Sequence, residues 1–243
     1  MPRDQLLAAL WPAAGPESAL QTLYTTASRL RSLLREQVLG LDGEIVHIGR
    51  EGICRLDTTR IASDAQRFAT LCRAAAKLKP DKAKAALHAA RRLYHGDLLA
   101  GQPYVWAEED YTGYVPRKLY RDMYRQATRR LARLLCEEGQ PARAVPLYKG
   151  LLKAEPTLED VVRDLYRCYE QLGDLGALIR EDRELRQALR GEDDDSPSSD
   201  DCQPEKATVD LFKRIRAELE TGGRTERAHA SAPLNGRASV GRS

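Results

Sequence analysis

Residues 127–185 carry one pattern twice, and this repetition limits the fold more than any other stretch. The first copy reads ATRRLARLLCEEGQPARAVPLYKGLLKAEP and the second VVRDLYRCYEQLGDLGALIREDRELRQAL. Each contains a helix-like run, a glycine, a short polar turn and a second helix-like run. Gly139 and Gly173 stand ~34 residues apart, a period of stacked helix hairpins. Leu131, Leu134 and Leu135 share a face in the first copy, as do Leu165, Cys168, Tyr169 and Leu172 in the second, and Pro156 closes the first unit. A stacked array of this kind is a surface for gripping other proteins or a second copy of the chain, and it has no inherent chemistry.

The order of Gly, Ala, Tyr and Pro within one unit is that of a tetratricopeptide (TPR) hairpin. Composition agrees with helix: Leu, Ala and Arg dominate, and there are only 2 Phe. A chain of 243 residues holds one or two domains with a real core. The net charge of +3 is small, so total charge argues neither for nor against nucleic acid. The cysteines, Cys54, Cys72, Cys136, Cys168 and Cys202, include no CxxC pair. They read as free thiols in a reducing cytoplasm, with Cys136 and Cys168 as small apolar packers on helical faces. No apolar run approaches the ~20 residues of a membrane span, and no signal-peptide pattern opens the sequence. The expected location is the cytoplasm, with no membrane partner.

Ahead of the repeats, residues 3–11 have helical apolar spacing at Leu6, Leu7, Leu10 and Trp11, broken by Pro12, Gly15 and Pro16. A second helix is expected over 17–36. Projected at about 100° per residue, Leu20, Leu23, Ala27, Leu30 and Leu34 form its apolar stripe. Gln21, Thr25, Ser28, Arg29 and Ser32 lie opposite. Arg and Gln side chains pair with base edges, and Ser and Thr bind phosphates, so this face suits a DNA groove. It equally suits a solvated helix face. Next, VLGLDGEIVHIGREGICRLD has β-branched residues and turn signals, predicting a hairpin of strands 44–48 and 53–56. Helix, turn, helix, hairpin is the order of a winged helix. Acids and bases balance between Arg3 and Leu56, so a positive DNA surface there has to come from local clustering of Arg29, Arg31 and Arg35.

Further on, Asp57 is placed to cap a helix over 58–78, and a second helix spans 82–94 and ends at Gly96. Leu98 and Leu99 are expected to pack down onto neighbours, and Trp106 with Tyr104, Tyr111 and Tyr114 to form an aromatic plug. Pro116 begins a long helix that enters the repeats. The acidic run GEDDDSPSSDDCQPE reads as a solvated loop. A last helix over 207–220 is expected to dock Leu211, Phe212, Ile215 and Leu219 on the array, with a disordered tail over 222–243. No nucleotide-binding, metalloprotease or hydrolase signature is present, and His47, His88, His95 and His229 lack partners at metal spacing. The expected protein has no catalytic residues, cofactor or metal.

LYHGDLLAG followed by WAEED, a long helix and two TPR-like hairpins resembles the bacterial transcriptional activator domain of SARP-type regulators. Leu93, Tyr94, Gly96, Asp97, Leu98, Leu99, Gly101, Trp106, Ala107 and Glu108 carry the likeness, and PEKATVDLFKRIR continues it. LLAALWP with ALQTLYTTASRLRSLL resembles the end of an OmpR-type winged helix, residues 6–11 matching its support helix and 19–34 its recognition helix. Members of that family begin with a small β-sheet and a first helix, which this sequence does not show, so the winged helix is expected to be partial. The implied fold is mainly α: a TPR-like helical hairpin array over 57–221, preceded by a partial winged helix with a short β-hairpin over 1–56. The implied function is a DNA-binding transcriptional regulator. Gln21, Thr22, Thr25, Ser28, Arg29 and Ser32 would face the major groove, and Arg50 at the wing tip a phosphate or the minor groove. The helical domain would contact itself, the transcription machinery or another regulator. A TPR-like adaptor without autonomous DNA binding is the alternative.

Overall fold

The computed structural model describes residues 1–37, 46–57, 63–101, 116–190 and 203–230, with side chains up to 221. Its elements are α1 (Arg3–Leu10), α2 (Pro16–Gln37), β1 (Val46–Ile48), β2 (Cys54–Leu56), α3 (Asp64–Lys77), α4 (Pro80–Leu93), α5 (Pro116–Glu137), α6 (Pro141–Ala154), α7 (Glu159–Leu172), α8 (Leu175–Arg190) and α9 (Lys206–Ala230). The fold is mainly helical with a short antiparallel hairpin. Two compact units divide it, Met1–Ala127 and Thr128–Ser243, and the division falls within α5.

In the first unit α1 packs on α2. Helix α2 buries Ala19, Leu23 and Ala27 and half-buries Leu20 and Leu34, whereas Leu30 is 40% exposed. The expected stripe is corrected at Leu30 for a geometric reason. Steps of four residues slip around a 3.6-residue helix, so the line of Ala19, Leu23 and Ala27 leads on to Arg31 and not to Leu30. Arg31 is half-buried, and its Nε and Nη2 donate to the Val46 carbonyl at 3.0 and 2.6 Å.

The hairpin pairs Val46 with Leu56, His47 with Arg55 and Ile48 with Cys54. Its second strand begins one residue later than the sequence suggests. Residues 44 and 45 lie outside the described residues, and Ile53 bridges Pro2 instead of β1. Around that bridge, the Met1 ammonium donates to the Cys54 carbonyl at 3.1 Å, the Cys54 amide to Met1 at 2.9 Å and the Arg3 amide to Gly52 at 2.7 Å. The first residues thus form a third short edge beside β2. Helices α3 and α4 pack together and bury Phe68, Ala69 and Ala75 with Ala83, Leu87 and Ala90. The cap of α3 is Ser63, whose Oγ accepts from the Gln66 amide at 3.1 Å; the helix starts too late for Asp57 to serve.

The second unit contains the repeats. Gly139 and Gly173 both adopt the left-handed region, at φ of 72° and 69°. In each copy the residue after the glycine closes the same bond back onto the helix: Gln140 to Leu135 at 2.8 Å and Asp174 to Tyr169 at 3.0 Å. Leu131, Leu134 and Leu135 are buried, as are Leu165, Cys168 and Tyr169, while Leu172 is 43% exposed beside the chain reversal. Helix α9 packs on α7 and α8. It buries Phe212, 5.9 Å from the Tyr166 ring, and Ile215, and half-buries Leu211 and Leu219. It continues past residue 220 to Ala230, because the helix formers of RTERAHA carry it beyond Gly222 and Gly223. The aromatic group of Trp106, Tyr104, Tyr111 and Tyr114, the acidic run over 191–202 and residues 231–243 lie outside the described residues.

Candidate nucleic-acid interface

Helix α2 presents Gln21, Thr22, Thr25, Ser28, Arg29 and Ser32, all exposed, opposite its buried alanines and leucine. Gln21, Thr25, Ser28 and Ser32 follow steps of four, three and four residues and so form one stripe, with Thr22 and Arg29 beside it. The Thr22 hydroxyl donates to the Ser18 carbonyl at 2.8 Å and the Thr25 hydroxyl to Gln21 at 2.9 Å. Their outward oxygen lone pairs are therefore acceptors, suited to an amino group on a base edge more than to a phosphate. Among the described residues, Arg29 and Arg50 have no ionic partner. Both are free to meet an anion.

The expected basic cluster of Arg29, Arg31 and Arg35 is not a cluster. Arg31 turns inward to Val46 and fixes β1 against α2, and Arg29 and Arg35 remain outside. The structural role of Arg31 was hidden because its partner is a backbone carbonyl across residues 38–45. Arg50 stands exposed in the hairpin turn, where the Gly49 amide donates to Ile53 at 2.8 Å and the Gly52 amide to Gly49 at 3.1 Å. Gly52 has φ of 75°, a left-handed turn position. The Glu51 carboxylate folds over Gly49, where any Cβ would collide with it. An acid thus sits next to the wing-tip arginine and reduces its local field. Tyr24, Leu30 and Leu33 also stand exposed on α2.

The Tyr-x-Gly-Asp-Leu-Leu-x-Gly segment has an architectural role. The Tyr94 hydroxyl donates to Asp97 at 3.0 Å, and Arg121 of α5 donates to both Asp97 oxygens, its Nε at 3.0 Å. Arg117 holds the Leu98 and Leu99 carbonyls, each at 2.8 Å. Two arginines one helical turn apart thus clip the loop to α5. The Arg121 hydrogen bonds hold the Asp97 carboxyl below its ordinary value against the opposing effect of burial. Burial, then the bond to Asp97, pushes the Tyr94 phenol up. Tyr94 stacks on Tyr124 at 4.2 Å and lies 5.5 Å from Phe68. Phe68 and Tyr94, with Tyr120 and Leu98, border an open cleft of ≈ 310 Å³. Leu99, expected to pack inward, is exposed at φ of 53°, because the two carbonyls held by Arg117 fix the turn.

The repeat unit is cross-braced by ion pairs. Buried Asp164 receives Arg129 at 2.5 Å, Arg133 at 3.0 Å and Arg167 at 3.1 Å. Arg129 also engages Asp160. Glu181 holds Lys149 and the Tyr169 hydroxyl, and Asp182 holds Arg186 and the Tyr166 hydroxyl. Along α8 and α9 runs a groove of ≈ 590 Å³ that includes Arg183, Arg186, Arg190, Arg216 and Phe212. Arg183 and Arg190 have no partner among the described residues. This arrangement suits an acidic protein segment. Among the described residues no His, Cys, Asp or Glu cluster could hold a metal ion, and no helix is long and apolar enough to cross a membrane.

The family described as bacterial transcriptional activator domain matches residues 63–216, from the cap of α3 into α9. A solved structure of Mycobacterium tuberculosis EmbR in complex with a low-affinity phosphopeptide is similar in fold, with a TM-score of 0.67 at 20% identity. The likeness covers 94% of this chain and 59% of that one, so this chain spans less than two thirds of that chain's length. No curated protein matches.

Proposed function

This chain belongs to the bacterial transcriptional activator domain family, and on that premise we propose that it is a cytoplasmic, non-enzymatic, DNA-binding transcriptional regulator. The observation that carries the reading is the α2 face: exposed Gln21, Thr22, Thr25, Ser28, Arg29 and Ser32, with Arg50 on a hairpin held to the same helix by Arg31. The polar side chains read base edges, while Arg29 and Arg50 neutralise phosphates. The array of α5 to α9 mediates self-association and contacts with the transcription machinery or another regulator. Its mixed-charge surface and the arginine groove of α8 and α9 support a protein partner.

Arg29→Ala combined with Arg50→Ala tests the DNA contact. Removing two phosphate contacts should weaken retention of duplex DNA in a gel-shift titration and make the salt slope shallower by roughly 1.8. Unchanged binding by the double variant overturns the contact. A second reading, a TPR-like adaptor without autonomous DNA binding, is favoured by the exposed Tyr24, Leu30 and Leu33 and by the acid beside Arg50. It expects no DNA shift by the full chain at low salt.

A further inference from the structure

Cys136 in the last turn of α5 and Cys168 in α7 belong to successive repeats, with a separation of 32 residues, yet their sulfurs lie 2.8 Å apart. Both are free thiols. Cys168 is fully buried and Cys136 half-buried, so a small oxidant reaches the pair from the Cys136 side. We propose that Cys136 and Cys168 form a dithiol–disulfide site, oxidised by a hydroperoxide to a covalent link between α5 and α7.

Three features of the site support this. The helices that carry the sulfurs are already held together by Arg129 and Arg133 on Asp160 and Asp164, so no large movement is needed to bring the thiols together. The contact with the Cys168 sulfur draws the Cys136 thiol below its ordinary value, against burial and the nearby Asp164 and Glu137 carboxylates. The same contact, with burial, raises the Cys168 thiol. One sulfur is thus the readier nucleophile, and the other is kept protonated beside it. Cys72 shows the contrast: burial pushes it up to about 11, and it has no thiol partner among the described residues.

The steps balance. The Cys136 thiol gives up its proton, its thiolate attacks the hydroperoxide and the O–O bond breaks; the leaving alkoxide (hydroxide, when hydrogen peroxide is the oxidant) takes that proton and departs as an alcohol or water, giving a sulfenic acid on Cys136. The Cys168 sulfur then attacks the Cys136 sulfur, and the S–O bond breaks. The leaving hydroxide takes the Cys168 proton and departs as water. Each sulfur is oxidised by one electron, and the peroxide is reduced by two. Thiol exchange with an external dithiol reverses the link.

The test is brief treatment of the full chain with hydrogen peroxide, followed by alkylation and peptide mapping without reductant. The expected product is a monomer lighter by two hydrogen atoms, with a linked peptide joining Cys136 and Cys168. Its unfolding midpoint should rise by roughly 5–10 °C and return on reduction. Cys136→Ser and Cys168→Ser should each abolish that peptide, and Cys72→Ser should leave it intact. Should a serine variant fail to fold, the wild-type peptide map alone decides the matter. Oxidation of Cys136 to a sulfinic acid without the link, or links only to other cysteines or other chains, overturns the proposal.

Discussion

Asp97 shows how one side chain can account for a motif. Its carboxylate accepts from Tyr94 within the loop and from Arg121 on α5, so it joins two segments 24 residues apart. Because the folded state holds this carboxyl below its ordinary value, its contribution is fully present above the unfolded value of about 3.9. It is lost as pH falls through the lower folded value, when the proton taken up weakens the bonds to Arg121. Asp97→Asn should therefore lower the unfolding midpoint near pH 7 and flatten its fall between about pH 5 and 2. Parallel acid-side profiles for the two proteins would show that Asp97 is not responsible. Arg31 is a comparable case at the other end of the unit. A cation on a helix face that invites a nucleic-acid reading is committed to a main-chain carbonyl, while Arg29, Arg35 and Arg50 remain exposed.

At the scale of elements, the glycines that end α5 and α7 determine how each helix turns into the next. Gly173 adopts φ of 69°, and the Asp174 amide bonds back to Tyr169 while the Asp174 carboxylate caps α8 by accepting from Ala177 at 2.8 Å. A Cβ at Gly173 meets no atom, so its cost is conformational and not steric. Gly173→Ala should destabilise the fold by about 1 kcal/mol, seen as a lower denaturant midpoint at unchanged slope. A neutral result would mean that the turn relaxes out of the left-handed region. This punctuation is why the helices were legible from residue spacing. Gly139 and Gly173 after α5 and α7, and a proline at the start of α4, α5 and α6, act locally, within a few residues of themselves. The candidate site was legible only in part, for the opposite reason. The polar stripe of α2 follows from periodicity, but the inward turn of Arg31, the clip of Arg117 on Leu98 and Leu99, and the meeting of Cys136 with Cys168 all join residues far apart in sequence. One signal for the cysteines was available. Each lies near the end of the first helix of its repeat, and first helices of successive repeats face each other in a stacked array.

For the molecule as a whole, electrostatics decides how DNA binding would have to work. With 39 basic and 36 acidic residues, the long-range field is weak, so affinity depends on local contacts. Two phosphate contacts per chain, as proposed for Arg29 and Arg50, would correspond to a slope of log affinity against log salt of roughly −1.8. Between about 50 and 200 mM salt that is a loss of only ~12-fold, shallow beside repressors making many phosphate contacts. A second copy bound through the helical array would double the number of contacts and carry the slope to roughly −3.6. Fluorescence anisotropy on a labelled duplex across that salt range, with sedimentation velocity on the same samples, separates the cases. A slope near −1.8 with monomer, or near −3.6 with dimer, agrees with two arginines per chain. A slope beyond about −6 would mean that DNA also lies on other cations, the unpaired Arg183 and Arg190 being the first to substitute. A slope near zero would leave no role for phosphate contacts and would favour the adaptor reading.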